Sequence, residues 1–286
     1  MKTILCDLSG KIESSKIGAL LELTKVANGL DLDFFIIGAT ARDIVMEHFY
    51  KIKAPRMTND IDIAVYVAKW EEYNALTDSL LATGMFLKGD QKQRYIFKDT
   101  FLDIIPFGDI SGRNNKISWP PEYETILTTV GFMDTYKNSI TFRLNSEPVL
   151  DVKVSTIPGL AIMKLLSWNE AYPDRPRDAE DLLFTMREYQ NAGIEDRLYE
   201  QEVILLEEEE YDNERAGIRL LGRDMARISN ADTANAVKKI LALETGEDSQ
   251  YRLISQMGGN IDNADSIMFI LEKLKQGFSE GWGSDH

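Results

Sequence analysis

Apolar residues recur along the first half of the chain in two rhythms. Between residues 14 and 28, Ile17, Leu20, Leu21, Leu23 and Val26 fall at helical spacing and predict an amphipathic helix. Leu32-Asp33-Phe34-Phe35-Ile36-Ile37 follows as a short run of aromatic and β-branched residues, the pattern of a buried strand. Gly38-Ala39-Thr40 ends that strand, and residues 41–50 return to helix. Ile61 to Val67 reads as a second strand, and residues 69–82 as a helix with Trp70, Tyr73, Leu76 and Leu80 on one side. Tyr95-Ile96-Phe97 and Phe101 to Ile105, joined by Lys98-Asp99-Thr100, form a hairpin pattern. A further strand pair is predicted at Ile140 to Leu144 and Val149 to Val154.

After Ser155 the pattern becomes helical throughout. Pro158 stands near a helix start, followed by Leu160, Met163, Leu165 and Leu166. Helices continue to about residue 277, with breaks near Tyr172 to Pro176, Gly193, Asn230, Gly246 and Gly258 to Asn260. Glu207 to Glu210 reads as a solvated helical face, and the glycine-containing tail from Ser279 as loose. The fold class is therefore α+β: a mixed sheet with flanking helices over residues 1–155, then an all-helical domain over 156–286.

Composition narrows the chemistry. The chain has 286 residues, 44% hydrophobic and 28% charged, as in a globular protein. A net charge of −15 argues against holding a long nucleic acid on a basic face. No apolar run approaches the length of about 18 residues that spans a membrane. The first twelve residues lack the basic and apolar regions of a signal peptide, so a cytoplasmic location is expected. Cys6 is the sole cysteine, which excludes an intramolecular disulfide and a Cys-based zinc site. His48 and His286 are the only histidines, which leaves no His-rich metal site. Catalysis must rest on carboxylates, Lys, Arg and backbone.

Three segments carry such groups. Asp60 and Asp62 open a predicted strand, where residues i and i+2 share a face. At about 4 Å and an effective dielectric near 20 they repel by ~4 kcal/mol, so water, a basic partner or a divalent cation must offset them. Oxygen-only ligands suit Mg²⁺ or Mn²⁺. A bare Asp-x-Asp is most often two exposed acids at a strand edge. Gly38-Ala39-Thr40, however, lies at a strand–turn–helix junction that can seat a phosphate on helix N–H groups, with Thr40 as an added hydroxyl donor. Asp103 is a lone charge in an apolar strand, either solvent-facing or directed to the Asp60–Asp62 face.

In order and spacing these segments resemble the DNA polymerase β-type nucleotidyltransferases. The resemblance implies a nucleotidyltransferase-type sheet, with Asp60, Asp62 and Asp103 as catalytic metal ligands for Mg²⁺ or Mn²⁺. Within that superfamily, Arg56-x-Thr58-x-Asp60-Ile61-Asp62 resembles the signature of the AbiEii-like nucleotidyltransferases, toxins of type IV toxin–antitoxin systems. Pro158 to Leu166 with Lys164, then Arg177-Asp178-Ala179-Glu180-Asp181-Leu182, is similar to their later motif. The resemblance implies nucleotide contacts from Gly38, Ala39, Thr40, Arg56, Thr58, Arg177, Asp178 and Asp181. It also implies a catalytic Lys164 aimed at the triphosphate. Read from the residues alone, Lys164 is a surface lysine or a phosphate-directed one, and Asp178 and Asp181 share a helix face. Asp178 is placed to orient Lys164 or Arg177, and Asp181 is a helix-start residue favoured by the dipole. The expected partners are an NTP, an antitoxin protein, and an acceptor that is tRNA, a protein or a small molecule.

Two positions depart from the pattern. Ala39 stands where Gly or Ser is usual, and a positive φ there would weaken nucleotide binding. Arg42 stands where this branch more often has an apolar residue. Gly38 to Asp43 also resembles the opening of CCA-adding tRNA nucleotidyltransferases, although Glu180-Asp181 lacks the Arg that follows in their base-reading motif. Two further readings are a non-catalytic nucleotide-binding protein that retains the fold, and an interaction protein whose acidic helical half binds a basic partner.

Overall fold

The computed structural model describes residues 4–124, 126–260 and 262–285; His286, Thr125, Ile261 and the first three residues lie outside it. The chain divides into two compact units, Met1–Thr156 and Ile157–His286. No helix among the described residues is long and apolar enough to cross a membrane.

The first unit begins with β1 (Ile4–Asp7), α1 (Ser14–Gly29), β2 (Phe34–Ile37) and α2 (Gly38–Arg42), which continues as a π-helix at Asp43–Phe49. Next come β3 (Asp60–Tyr66), α3 (Trp70–Ala82), β4 (Phe86–Lys88), β5 (Arg94–Phe97) and β6 (Thr100–Phe107). The unit closes with β7 (Lys116–Ser118), β8 (Ile126–Thr128), α4 (Phe132–Lys137), β9 (Ile140–Ser146) and β10 (Val149–Val154). Among the described residues eight strands form one mixed sheet, ordered β1-β9-β10-β2-β3-β6-β5-β4, and β7 pairs with β8 apart from it. The fold is α+β, as the alternation of patterns predicts.

The sheet centre is built from the runs that the sequence marks as apolar. Phe35, Ile36, Ile61, Ile63, Leu102 and Ile104 are fully buried, and so are Leu20 and Leu23 of α1 and Leu76 and Leu80 of α3. Along β3 burial alternates at first, with Ile61 and Ile63 inside and Asp60 and Asp62 partly exposed; from Ile63 to Val65 both faces are covered. The start of β3 is thus the place where one face of the sheet lies open to water.

Register does the rest. β2 and β3 are antiparallel with Ile37 opposite Asp62, so the end of β2 lies beside the start of β3. β3 and β6 are parallel with Asp62 level with Asp103. β5 turns back along β6 and sets Arg94 level with Asp103.

The second unit contains α5 (Ile157–Ala171), α6 (Pro176–Glu188), α7 (Glu195–Glu200), α8 (Val203–Glu208), α9 (Asn213–Ile228), α10 (Ala231–Thr245), α11 (Arg252–Gln256) and α12 (Ala264–Asp285). Asn230 caps α10 by accepting from the Thr233 N–H, and Asp212 caps α9 through the Arg215 N–H.

Two expectations fail here for physical reasons. The tail is helical rather than loose, because α12 continues through Ser279 to Asp285. Glycine costs a helix about 1 kcal/mol relative to alanine. At Gly277, however, a Cβ would lie 1.8 Å from the Arg219 carbonyl oxygen, and at Gly222 it would lie 2.3 Å from that of Leu274. The glycines let α9 and α12 approach backbone to backbone, and Glu280 then binds both Arg219 and Arg223. Nor is the acidic run wholly solvated. Glu209 is buried, paired with Arg219 at 3.0 Å and Lys273 at 2.8 Å.

Candidate active site

Gly38 and Asp62 are the closest-fitting pair at the open end of β3. Gly38 has φ +65°, and a Cβ there would stand 2.0 Å from Asp62 Oδ2. The carboxylate therefore rests on the glycine backbone where β2 becomes α2. Any L-residue at 38 meets both the left-handed backbone region, at about 1–2 kcal/mol, and a collision with Asp62. Gly38→Ala should lower unfolding free energy by about 1–3 kcal/mol in urea denaturation. Asp62→Ala in the same background should recover the collision but not the backbone strain. A Gly38→Ala protein as stable as the parent would refute this close fit.

The positive φ falls on Gly38 and not on Ala39, which is an ordinary helical residue of α2. The expected conformational penalty at Ala39 is therefore absent. Thr40 differs from expectation as well: it is buried, and its hydroxyl donates to the Asp60 carbonyl at 2.6 Å. It ties the start of α2 to β3 instead of offering a donor to a phosphate.

Arg42, the other departure, is fully buried. Its guanidinium donates to Asp43 at 2.7 Å and to the Arg56 carbonyl at 2.9 Å. Burial pushes the Asp43 carboxyl above its ordinary range, opposed by the neighbouring Arg42 charge. Lys16 donates to the Thr58 carbonyl at 2.6 Å. Two cations thus hold the segment leading into β3 by its backbone. The Arg56 and Thr58 side chains remain partly exposed, while Met57 between them is 80% exposed.

Asp60, Asp62 and Asp103 share the open face through register, and an unforeseen cation joins them. Arg94 Nε donates to Asp103 Oδ1 at 2.8 Å and Nη2 to Oδ2 at 2.7 Å, a bidentate fork. The same Nη2 lies 3.3 Å from Asp60 Oδ2. Hydrogen bonding to Asp103 raises the Arg94 pKa above its ordinary value, so the charge is permanent. The Asp103 side chain is 13% exposed and that of Asp60 40%. The donor set is right in kind for Mg²⁺ or Mn²⁺, since every acidic ligand offers oxygen. Yet no three acidic, His or Cys side chains among the described residues are gathered as a metal site. The carboxylates of Asp60, Asp62 and Asp103 are ligands of the right kind for a divalent ion, and Arg94 would have to release Asp103 for that residue to serve.

In the helical unit, Lys164 on α5 pairs with two acids of α6, Asp178 at 2.6 Å and Asp181 at 2.9 Å. Ser167 donates to the second oxygen of Asp178 at 2.8 Å. Lys164 is largely buried: its side chain is 13% exposed and that of Asp181 only 1%. Burial alone would lower the Lys164 pKa, but the two carboxylates more than offset it and hold the ammonium above its ordinary value. Asp181 lies more than a turn inside α6, so the expected helix-start role is replaced by ion pairing. Arg177 is exposed.

The family comparison covers nearly all of these residues. A model of the nucleotidyl transferase AbiEii toxin of type IV toxin–antitoxin systems matches residues 21–253. No curated protein matches the chain. Among solved structures, an antigenic nucleotidyltransferase-like protein from Paracoccidioides brasiliensis is 15% identical, with 73% of this chain and 94% of that one covered at a TM-score of 0.41. The ANT(2")-Ia complex with adenylyl-2"-tobramycin is 13% identical, covering 69% and 97% at 0.37. A CCA-adding enzyme with ATP is 14% identical, covering 96% and 74% at 0.32. The family match runs from within α1 to the start of α11, through both the Gly38–Asp62 junction and the Lys164 ion pairs, and the chain belongs to the AbiEii nucleotidyltransferase family.

Proposed function

We propose that this nucleotidyltransferase moves an NMP from an NTP to an acceptor hydroxyl with the help of Mg²⁺ or Mn²⁺. The observation that carries the reading is the fit of Asp62 against Gly38, with Asp62 level with Asp103 on the neighbouring strand. Only glycine adopts the positive φ at 38 without strain, and only its missing Cβ leaves room for the Asp62 carboxylate, which is what a site built around that acid requires.

In this reading Asp60, Asp62 and Asp103 are the metal ligands, and the helix opened by Gly38 and Ala39 receives the triphosphate on its N–H groups. A divalent ion held by these acids would neutralise charge on the triphosphate and the attacking oxygen. Arg56 and Thr58 flank the nucleotide, placed by the hold of Arg42 and Lys16 on their backbone. Within the helical unit, Lys164 is the cation offered to phosphate, with Asp178 and Asp181 fixing its direction and Arg177 adding charge. Its ammonium donates to Asp178 and pairs with Asp181, which fixes where it points. The trio has a formal charge of −1, so Lys164 acts by directed hydrogen bonding more than by net attraction.

By family, the protein is proposed to act in the cytoplasm as a toxin restrained by an antitoxin protein, with tRNA, a protein or a small molecule as acceptor. Incubation with each α-labelled NTP, Mg²⁺ and a cell lysate should label one fraction, and EDTA should abolish the label. Nucleotide binding without labelling by any NTP would leave the non-catalytic reading instead, which the hold of Arg94 on Asp103 favours.

A further inference from the structure

Arg94 belongs to none of the motifs quoted for this family, yet it makes the tightest contacts on the carboxylate face. Its place is set by the hairpin: a two-residue turn at Lys98-Asp99 pairs Phe97 with Thr100, and counting back brings Arg94 level with Asp103. The side chain is seated on both sides. Its guanidinium lies 5.1 Å from the centre of the Phe101 ring. Gly89 packs against its stem so closely that a Cβ at 89 would stand 2.6 Å from Arg94 Cγ.

We infer that Arg94 is a built-in counter-cation that competes with a divalent ion for Asp103 and Asp60, so that metal loading and release of Arg94 are a single coupled step. The inference rests on the metal-dependent reading above. Both Asp103 oxygens are engaged by the fork, and the nearer Asp60 oxygen is within reach of the same nitrogen. A divalent ion would need the same lone pairs at about 2.1 Å. It would also stand beside a permanent positive charge, which disfavours both cations together. Without metal, Arg94 relieves the repulsion among three acids. With metal, it must give up Asp103 or leave the ion short of a ligand. Anything that weakens the fork should therefore strengthen metal binding, because binding no longer pays to displace it.

The test is Mn²⁺ binding to the nucleotide-free full chain, followed by calorimetry and by the free Mn²⁺ electron spin resonance signal. Arg94→Gln, shown to be folded by circular dichroism, should bind Mn²⁺ about tenfold more tightly than the parent, within the usual range of coupling between sites. Arg94→Lys keeps a charge without the fork and should fall between them. Equal or weaker binding by Arg94→Gln, with the parent still binding, overturns this inference alone. Absence of Mn²⁺ binding in both overturns it together with the metal-dependent reading. Should Arg94→Gln not fold, the parent decides: Mg²⁺ at saturation, measured by calorimetry, should shift the Arg94 Nε–H resonance. A resonance that does not move overturns the inference.

Discussion

Asp62→Asn should give a folded protein in which NMP transfer has fallen by about 10³ or more, the scale on which a central charge-stabilising group is lost. Asparagine has nearly the shape of aspartate, so the close contact with Gly38 survives. What goes is one negative charge. Asp60, Asp62, Asp103 and Arg94 together leave the open face with a formal charge of −2, and the variant reduces it to −1. Less like-charge repulsion should leave the melting temperature level or slightly raised. The pair of measurements is a label-incorporation rate and a thermal melt. Loss of both activity and fold would make Asp62 a structural acid; a stable variant with parental activity would remove it from the chemistry.

The parts of the site legible in the sequence are those set by local rules. Apolar runs with β-branched residues located β2 and β3, and alternation along β3 put Asp60 and Asp62 on one face. Asp103 stood out because a charge interrupts an apolar strand. The parts that escaped depend on pairing across the chain. Arg94 lies in the polar stretch Gln91-Lys92-Gln93-Arg94 and has no local signal of its own. Its signal was the hairpin count, since a two-residue turn fixes which residue meets Asp103. The short edge strands β1 and β4 are held by neighbours on one side only, and three or four residues carry too little pattern to announce them.

Elsewhere composition pointed the wrong way, because it describes residues without their partners. Ala39 looked costly while the conformation needed at that turn was unknown; the positive φ belongs to Gly38, one residue earlier, where glycine adopts it freely. Glu209 looked solvated because its partners Arg219 and Lys273 lie 10 and 64 residues away. The glycines of α12 looked like breakers until α9 was placed against them.

Lys164→Ala carries the largest expected cost in stability, and the structure shows how to separate that cost from chemistry. Removing the ammonium leaves Asp178 and Asp181 as buried carboxylates without their shared cation. Breaking a buried pair by deleting one partner costs about 3–5 kcal/mol, a large share of the 5–15 kcal/mol typical of a folded domain. A fall in turnover of about 10²–10³, the scale for one lost transition-state donor, would therefore arrive mixed with unfolding. Adding Asp178→Asn and Asp181→Asn to Lys164→Ala removes the stranded charges and should restore most of the stability measured by urea denaturation. If transfer stays at the level of Lys164→Ala while stability returns, Lys164 acts on substrate; if both return, it is a strut between α5 and α6. The pH dependence supplies a check. The folded pKa of Lys164 lies above its unfolded value near 10.4. Its stabilising contribution is thus complete below that value and is lost only as pH rises through the higher folded pKa. The stability gap between parent and alanine variant should hence be unaffected by Lys164 titration between about pH 6 and 9. A gap that closes across that window in step with lysine deprotonation would mean that the two carboxylates do not hold the ammonium as the 2.6 and 2.9 Å contacts require.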